Sequence, residues 1–284
     1  MIKFLSKIKL LSESKKTLIR ANFPFPIFQK NTIISAMNNN LIFETEREIS
    51  SAFIDSSVRM GVAQSVLLVQ DNLTESFNAM DCDGVIYREK FNAFWVFTKT
   101  KVHFERRPDW REIIKARTFP IDNLGMRTHV NTQFLDKEGK TLLVANQEAC
   151  VLSLENHRPL KITNLPYPKE NFPQAVFEEP FERFPSDFSD NEFVFEQQIR
   201  SSQIDMSHHM NNIEYIKLAL CVFSDDFLQS HEITDLEVHY TGESKEGQIL
   251  KVYKKEDAEV PGKVYIHIKE SEHCVFECCV KFAK

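Results

Sequence analysis

The sequence predicts an α+β chain built as two copies of one unit: a strand, a short polar turn, an amphipathic helix, then a run of antiparallel strands. Three observations carry that reading. Apolar residues recur at threes and fours in two places, Val58, Val62, Val66, Val69, Leu73 and Phe77, and later Ile213, Ile216, Leu220 and Phe223, which is the spacing of a helix with one buried face. Each pattern is followed by stretches rich in aromatic and β-branched residues, the composition of strands. Between the two units, residues 157–190 hold six of the eleven prolines (Pro159, Pro166, Pro168, Pro173, Pro180 and Pro185) with little periodicity, as a linker does.

The elements follow in order. Residues 1–40 carry seven Lys or Arg against one Glu. They lack a long apolar stretch and a small-residue cleavage site, so they make a poor secretory signal. They read either as a targeting leader or as a start set too early, with Met37 as the true first residue. Residues 41–156 form the first unit: a strand over 43–52, a helix over 57–77, a polar turn with Asp81, Asp83 and Gly84, and strands over 91–105, 111–119, 126–136 and 141–154, the last two joined through Lys137, Glu138 and Gly139. Residues 191–284 repeat the order, with a strand over 192–201, a polar turn, a helix over 210–228 and strands over 233–242, 247–255, 262–270 and 273–282. One helix backed by an antiparallel sheet is the make-up of a hot dog domain. Two copies suggest a tandem, or double, hot dog fold whose sheets join edge to edge.

Composition excludes several classes of function. With 42% hydrophobic and 27% charged residues, the chain has an ordinary globular make-up. No apolar run approaches the roughly 18 residues that span a bilayer. Glycine is scarce at 7 copies. The one Gly-Lys-Thr run, Gly139 to Thr141, has Phe134 where a phosphate-binding loop needs glycine. The leader is net +6 and the remainder net −12, so nucleic acid is an unsuitable partner for the body of the chain. The six cysteines show no paired spacing, and reduced thiols of a cytoplasmic protein are the default. Neither H-E-x-x-H nor C-x-x-C occurs, so no metal is expected. No G-x-S-x-G elbow supports a serine hydrolase.

The second polar turn concentrates the chemistry. Asp205, Ser207, His208, His209, Asn211 and Asn212 fall within eight positions, immediately before a helix. The first N–H groups of a helix lack intrahelical partners and favour negative charge, so an oxyanion is stabilised there. Asp205 can orient or deprotonate water, Ser207 can hold it, and His209 can polarise a carbonyl or move protons. A simple capping turn needs one such residue rather than six.

The run from Asp205 to Tyr215, DMSHHMNNIEY, resembles the D-x-N-x-H-V-N-N-x-x-Y signature of fatty acyl-ACP thioesterases. The family's second Asn position is Ser207 here, a hydroxyl in place of an amide that donates twice. Trp95-Val96, Arg106-Arg107-Pro108-Asp109-Trp110 and Thr118-Phe119-Pro120 resemble first-half motifs of the same family, and Tyr240 to Gly247 resembles its Y-x-x-E-x-x-x-G segment. The resemblance covers about residues 41–283.

It implies hydrolysis of the thioester of fatty acyl-acyl carrier protein, releasing free fatty acid and ending chain synthesis, without a cofactor. Carried over, the catalytic residues are Asp205, Ser207, His209 and Glu243, supported by Asn211, Asn212, Tyr215 and Ser244. Ser244 stands where plant members have a Cys once proposed as nucleophile, which favours water activated by Asp205 with Glu243. The first-half turn, Asp55 to Met60, has no His and no paired Asn, so that half is assigned the acyl pocket, with Val62, Val66 and Trp95. Arg106, Arg107 and Arg111, with Lys99, Lys101, Lys115 and Arg117, are the candidate cations for the acidic carrier protein and its phosphopantetheine-linked chain. The expected assembly is a monomer or homodimer. The expected compartment is the cytoplasm, or an organelle if the leader is a transit peptide. A hot dog acyl-CoA thioesterase and a non-catalytic acyl-binding protein are the alternatives.

Overall fold

The computed structural model describes residues 41–187 and 192–283, so the expectations for the leader, residues 1–40, lie outside the described residues. The first half contains β1 (Phe43–Glu48), α1 (Val62–Ala79), α2 (Gly84–Phe91), β2 (Ala93–Phe104), β3 (Ile113–Pro120), β4 (Thr128–Leu135), β5 (Thr141–Ser153) and the short β6 (Pro159–Leu160). The second contains β7 (Phe193–Gln198), α3 (Asn212–Leu220), α4 (Asp225–Ser230), β8 (Ile233–Tyr240), β9 (Ile249–Glu256), β10 (Lys263–Glu270) and β11 (His273–Phe282).

These strands make one eleven-stranded sheet in the order β1-β3-β4-β5-β2-β8-β11-β10-β9-β7, with β6 paired to β5. The order reads alike from either end, as expected of two copies of one unit. The halves meet where β2 pairs antiparallel with β8, from Lys99 opposite His239 to His103 opposite Asp235. Each half thereby covers the other's exposed edge. This is the double hot dog arrangement. Residues of one parity face the helices: Val66 and Val69 of α1, Ile213 and Ile216 of α3, and Val102, Val238 and Phe276 of the sheet share one core. Farther along α1, Leu73 and Phe77 enter a second cluster with Tyr87, Trp95 and Tyr167.

Three elements depart from the sequence reading, each for a local reason. The first helix starts at Val62 rather than 57, because residues 54–60 close a tight loop through an Ile54–Met60 bridge, with Val58 in the left-handed region at φ 60°. The polar turn after it is followed by a full short helix, α2, because Asp83 accepts from the N–H groups of Val85 and Ile86 and caps it. The helix expected over 210–228 is two helices. It stops after Leu220, and Ser224, accepting from Phe227 N–H, starts the next.

The proline-rich stretch is a strap fastened to the sheet. Ile162, Leu165 and Tyr167 are buried in the second cluster. Asn131 accepts from the N–H groups of Val176 and Phe177 at 2.9 and 3.0 Å. Glu237 accepts from Glu182 N–H at 2.7 Å, and Lys101 donates to the Pro180 carbonyl at 3.1 Å. Lys101 and Glu237 alternate with the core residues Val102 and Val238, so this strap crosses the sheet face opposite the helices. Among the described residues, no helix is long and apolar enough to cross a membrane.

Candidate active site

The turn before α3 is held at three points. Ile204 bridges Met210, Asp205 N–H donates to the His209 carbonyl at 3.0 Å, and Met210 N–H donates to the Ser244 carbonyl at 2.8 Å. The last contact joins the turn to the loop that follows β8. It brings Glu243 to His209, Nε2 to Oε2 at 3.1 Å, with His209 mostly enclosed and Glu243 half exposed. Asp205 Oδ1 accepts from both the N–H and the hydroxyl of Ser207, an Asx turn that fixes the carboxylate. Asn211 caps α3, its Oδ1 taking the Ile213 N–H at 2.9 Å. Among the described residues the Asn212 N–H, at the start of the helix, donates to no protein group. A carboxylate and an imidazole thus meet beside the turn that leads into α3.

The remaining predicted residues take less direct places. His208 is exposed, in the left-handed region at φ 65°. Tyr215 is buried and stacks on Phe276, ring centroids 5.5 Å apart. Its hydroxyl and the fully buried Ser244 Oγ are neighbours, but neither meets hydrogen-bond geometry. Burial raises the Tyr215 phenol above its ordinary range. Glu243 itself lies in the loop after β8 rather than on the strand, and the loop's freedom from sheet pairing is what lets it reach back to His209.

The first half keeps more of this turn than its sequence suggested. Position for position, Asp55, Ser57, Val58, Arg59 and Met60 repeat Asp205, Ser207, His208, His209 and Met210. Asp55 Oδ1 accepts from Ser57 N–H and hydroxyl, Asp55 N–H donates to the Arg59 carbonyl at 3.0 Å, and Met60 N–H donates to the Pro108 carbonyl at 2.8 Å. Pro108 therefore matches Ser244, and Arg107 matches Glu243. Arg107 is buried against Asp55 and donates to Ser57 Oγ at 3.0 Å, while Arg59 is paired with Glu232. Cations stand where the second half has its imidazole and carboxylate, so this copy has no imidazole–carboxylate pair, and its Asp55 is tied to Arg107.

The structure separates the residues assigned to the acyl pocket and those assigned to the carrier protein. Val62 lines a cavity of about 210 Å³ with Leu220, Leu228 and Ile233, beside Asp55 and Arg107 and away from His209. Val66 is sealed in the core, and Trp95 belongs to the aromatic cluster, 4.5 Å from Phe77 and 5.1 Å from Tyr87 with its N–H on the Cys82 carbonyl. The three do not form one pocket. Arg107 is turned inward, as described, and Lys101 is buried between Glu179 and Glu237, so neither is a surface cation. Arg106 is clamped by both oxygens of Glu112, Lys115 and Arg117 share Glu44, and Lys99 lies over the Phe181 ring. Arg111 alone of the three assigned arginines is widely exposed, at 75%, between exposed Trp110 and Ile113.

The sequence reading missed Gln70. It stands on α1 of the other half, half-buried, and its Oε1 accepts from the Asn212 amide at 3.4 Å. In the first-half copy the matching pair is Val62 and Leu220, both apolar and both lining the cavity. The only signal in sequence was a polar residue beside the apolar stripe of the first helix, which is ordinary for a surface helix.

A second ionisable group of residues lies beneath the strap. His129 is pushed up to about 9 by hydrogen bonds to Asp122 and then Glu148. Burial alone would raise the Glu148 carboxyl, but hydrogen bonds from His129 and Thr98 and the charge of Arg127 bring it down to about 2.

Residues 40–165 match the family model of the acyl-ACP thioesterase N-terminal domain, and residues 187–278 that of the acyl-ACP thioesterase C-terminal domain. No curated protein matches the chain. Among solved structures, an acyl-ACP thioesterase from Bacteroides thetaiotaomicron is similar at 19% identity and a TM-score of 0.75, over 85% of this chain and 98% of that one. A 12:0-ACP thioesterase from Umbellularia californica is similar at 15% identity and a TM-score of 0.73, over 85% of this chain and 97% of that one. At these identities the likeness is one of fold.

Proposed function

The chain belongs to the acyl-ACP thioesterase family and is a thioester hydrolase of fatty acyl-ACP, and on that premise we propose that the turn before α3 and the loop after β8 carry out the reaction. The observation that supports this most is the contact between His209 and Glu243, which joins the two segments that the family resemblance singles out.

In this reading Glu243 is the general base. It is the more exposed partner of the pair, and its second oxygen is open to a water. His209 donates through Nε2 and holds the carboxylate in place. Asp205, whose Oδ1 already accepts two hydrogen bonds from Ser207, shapes the turn and presents its other oxygen to the same water. The water oxygen attacks the thioester carbonyl carbon while Glu243 takes its proton. Negative charge grows on the carbonyl oxygen, which receives the free Asn212 N–H at the positive end of α3. Gln70, with its carbonyl committed to Asn212, has amide hydrogens left to face the same oxygen. Collapse breaks the carbon–sulfur bond, and the proton held by Glu243 passes to the pantetheine sulfur. Free fatty acid and carrier thiol leave. Ser244 takes no part, because its hydroxyl is buried.

The acyl chain follows the first half. Gln70, Leu73 and Phe77 lie at helical spacing on one face of α1; Leu73 and Phe77 pack shut in this structure, so a chain whose carbonyl sits by Gln70 enters by parting them toward Trp95. This gives Trp95 the far end of the pocket, with Val62 and Val66 outside it. Arg111, the most exposed of these cations although its Nε reaches Glu48 at 3.3 Å, is the one best placed to meet an acidic carrier protein. Thiol release from purified protein over a panel of acyl-ACP and acyl-CoA chain lengths tests the reading. Release from acyl-ACP supports it, and no release from any acyl-ACP contradicts it.

A further inference from the structure

Outside the active site, one cluster joins three different metal-binding side chains. His267 of β10 and Cys274 and Glu277 of β11 each offer one ligand atom, and these atoms all lie within 4.8 Å of one another. A break in strand register assembles them. His267 pairs with Glu277 across the two strands, and both face away from the core residues Ile266, Ile268 and Phe276. In a regular strand Cys274, three positions before Glu277, would point to the opposite face. The register shifts there: Phe276 pairs with Ile268 but Cys274 pairs with Lys269, which leaves Val275 as an extra residue. Val275 and Phe276 both enter the core, and Cys274 comes round to the side of His267 and Glu277. Bulges that re-aim a side chain in this way recur beside functional sites.

We propose that His267, Cys274 and Glu277 form a binding site for a divalent transition-metal ion of the zinc class, with water completing the coordination. A thiolate, an imidazole and a carboxylate suit zinc, whereas calcium and magnesium take oxygen ligands. Metal–ligand bonds of about 2.0–2.3 Å set neighbouring ligand atoms roughly 3.5 Å apart, so the cluster closes on an ion by a small inward movement. His267 is a buried floor at 3% exposure and Glu277 an open wall at 22%. Glu277 also lies 3.7 Å from His239 Nδ1, the kind of outer partner that orients a ligating carboxylate. Binding removes the proton that the Cys274 thiol now directs at the Phe276 carbonyl at 3.4 Å, and that proton goes to solvent.

The site is structural, and its position gives it a consequence for the enzyme. Thr241 Oγ1 donates to the Cys274 carbonyl at 2.9 Å, and the N–H groups of Thr241 and Gly242 both donate to the Val275 carbonyl at 3.0 Å. The bulge therefore anchors the root of the loop that carries Glu243. An ion at Cys274 fastens that loop.

Titrating the purified full-length protein with cobalt(II), and reading the thiolate-to-metal charge-transfer band, tests the proposal. One equivalent gives the band, zinc abolishes it by displacement, Cys274→Ser removes it, and Cys221→Ser, at an exposed thiol, leaves it intact. No band, or a band that survives Cys274→Ser, overturns the proposal. Zinc also raises the melting temperature of the wild type and of Cys221→Ser, and does so less for Glu277→Gln. An equal rise in Glu277→Gln counts against the site even where Cys274→Ser folds poorly.

Discussion

Arg107 occupies in the first half the place that Glu243 holds in the second. Each immediately precedes the residue whose carbonyl ties down an Asp-Ser turn, Pro108 for the first and Ser244 for the second. Arg107 is buried on Asp55, whereas Glu243 is half exposed on His209. One loop geometry thus holds two different pairs: a closed ion pair in one copy, an open imidazole–carboxylate contact in the other. Breaking the closed one leaves Asp55, a third exposed, without its cation. Arg107→Met is expected to cost roughly 1–3 kcal/mol of stability if Asp55 is kept, and less when combined with Asp55→Asn. Chemical denaturation of the two variants measures the difference.

His209→Ala and Asp205→Asn separate the roles in the open copy. His209→Ala is expected to lower kcat by about 10²-fold with KM little changed, because Glu243 loses the contact that positions it. Asp205→Asn keeps an acceptor for Ser207 but loses the second carboxylate, and a fall of roughly 10² to 10⁴ is expected. Ser244→Ala is expected to stay within about threefold of wild type, since removing a buried, unbonded hydroxyl leaves no charge exposed. Steady-state kinetics on one acyl-ACP checks all three, and inactivity of Ser244→Ala would speak for a serine nucleophile.

Gln70→Leu imports the first-half arrangement, in which Leu220 stands at this place. A loss of about tenfold or more in kcat is expected if the Gln70 amide meets the developing oxyanion, with Gln70→Glu at least as slow because it replaces a donor by a negative charge. A wild-type rate for Gln70→Leu would leave the residue with no part in the reaction.

The fold was legible in sequence because its signals are periodic. Two helical stripes, each trailed by alternating strands, were enough for the main strands and the two main helices, and the doubling followed from their repetition; α2 and α4 stayed hidden because each rests on a local cap, at Asp83 and Ser224. The proposed catalytic cluster stood out in sequence because Asp205 to Asn212 is dense in polar groups that capping alone does not need. What stayed hidden depends on distance across the fold. Gln70 meets Asn212 only because α1 and α3 pack side by side. Arg107 and Lys101 read as surface cations because their burying partners, Asp55 in one case and the strap's Glu179 in the other, lie far off in sequence. The retained turn of the first half was masked by Arg59 and Val58, which differ from His209 and His208 in chemistry while sharing their backbone.

Chain-length choice is expected to follow the aromatic cluster. Phe77→Ala opens space at the end of the α1 face and should shift products toward longer chains, at a cost of about 3–5 kcal/mol in stability for a buried Phe. Gas chromatography of fatty acids released from a mixed acyl-ACP pool reads the shift. An unchanged profile would move the acyl chain elsewhere.

Stability is expected to fall between about pH 6.5 and 9. His129 titrates near 9 in the folded protein, above its ordinary value of 6.5, because Asp122 and Glu148 hold its charge. That contribution is complete below pH 6.5 and is lost as pH rises through 9. Glu148, lowered to about 2, adds stability above its ordinary 4.5 that is lost as pH falls through 2. Melting temperatures followed from pH 6 to 10 check the first, and His129→Gln should flatten the alkaline fall.

The most direct test of the account is the single-turnover rate of Glu243→Gln on an acyl-ACP, measured beside wild type with carrier-thiol release as the readout. A base at Glu243 predicts normal substrate binding and a rate lower by about 10² to 10⁴. Wild-type turnover by Glu243→Gln would contradict it.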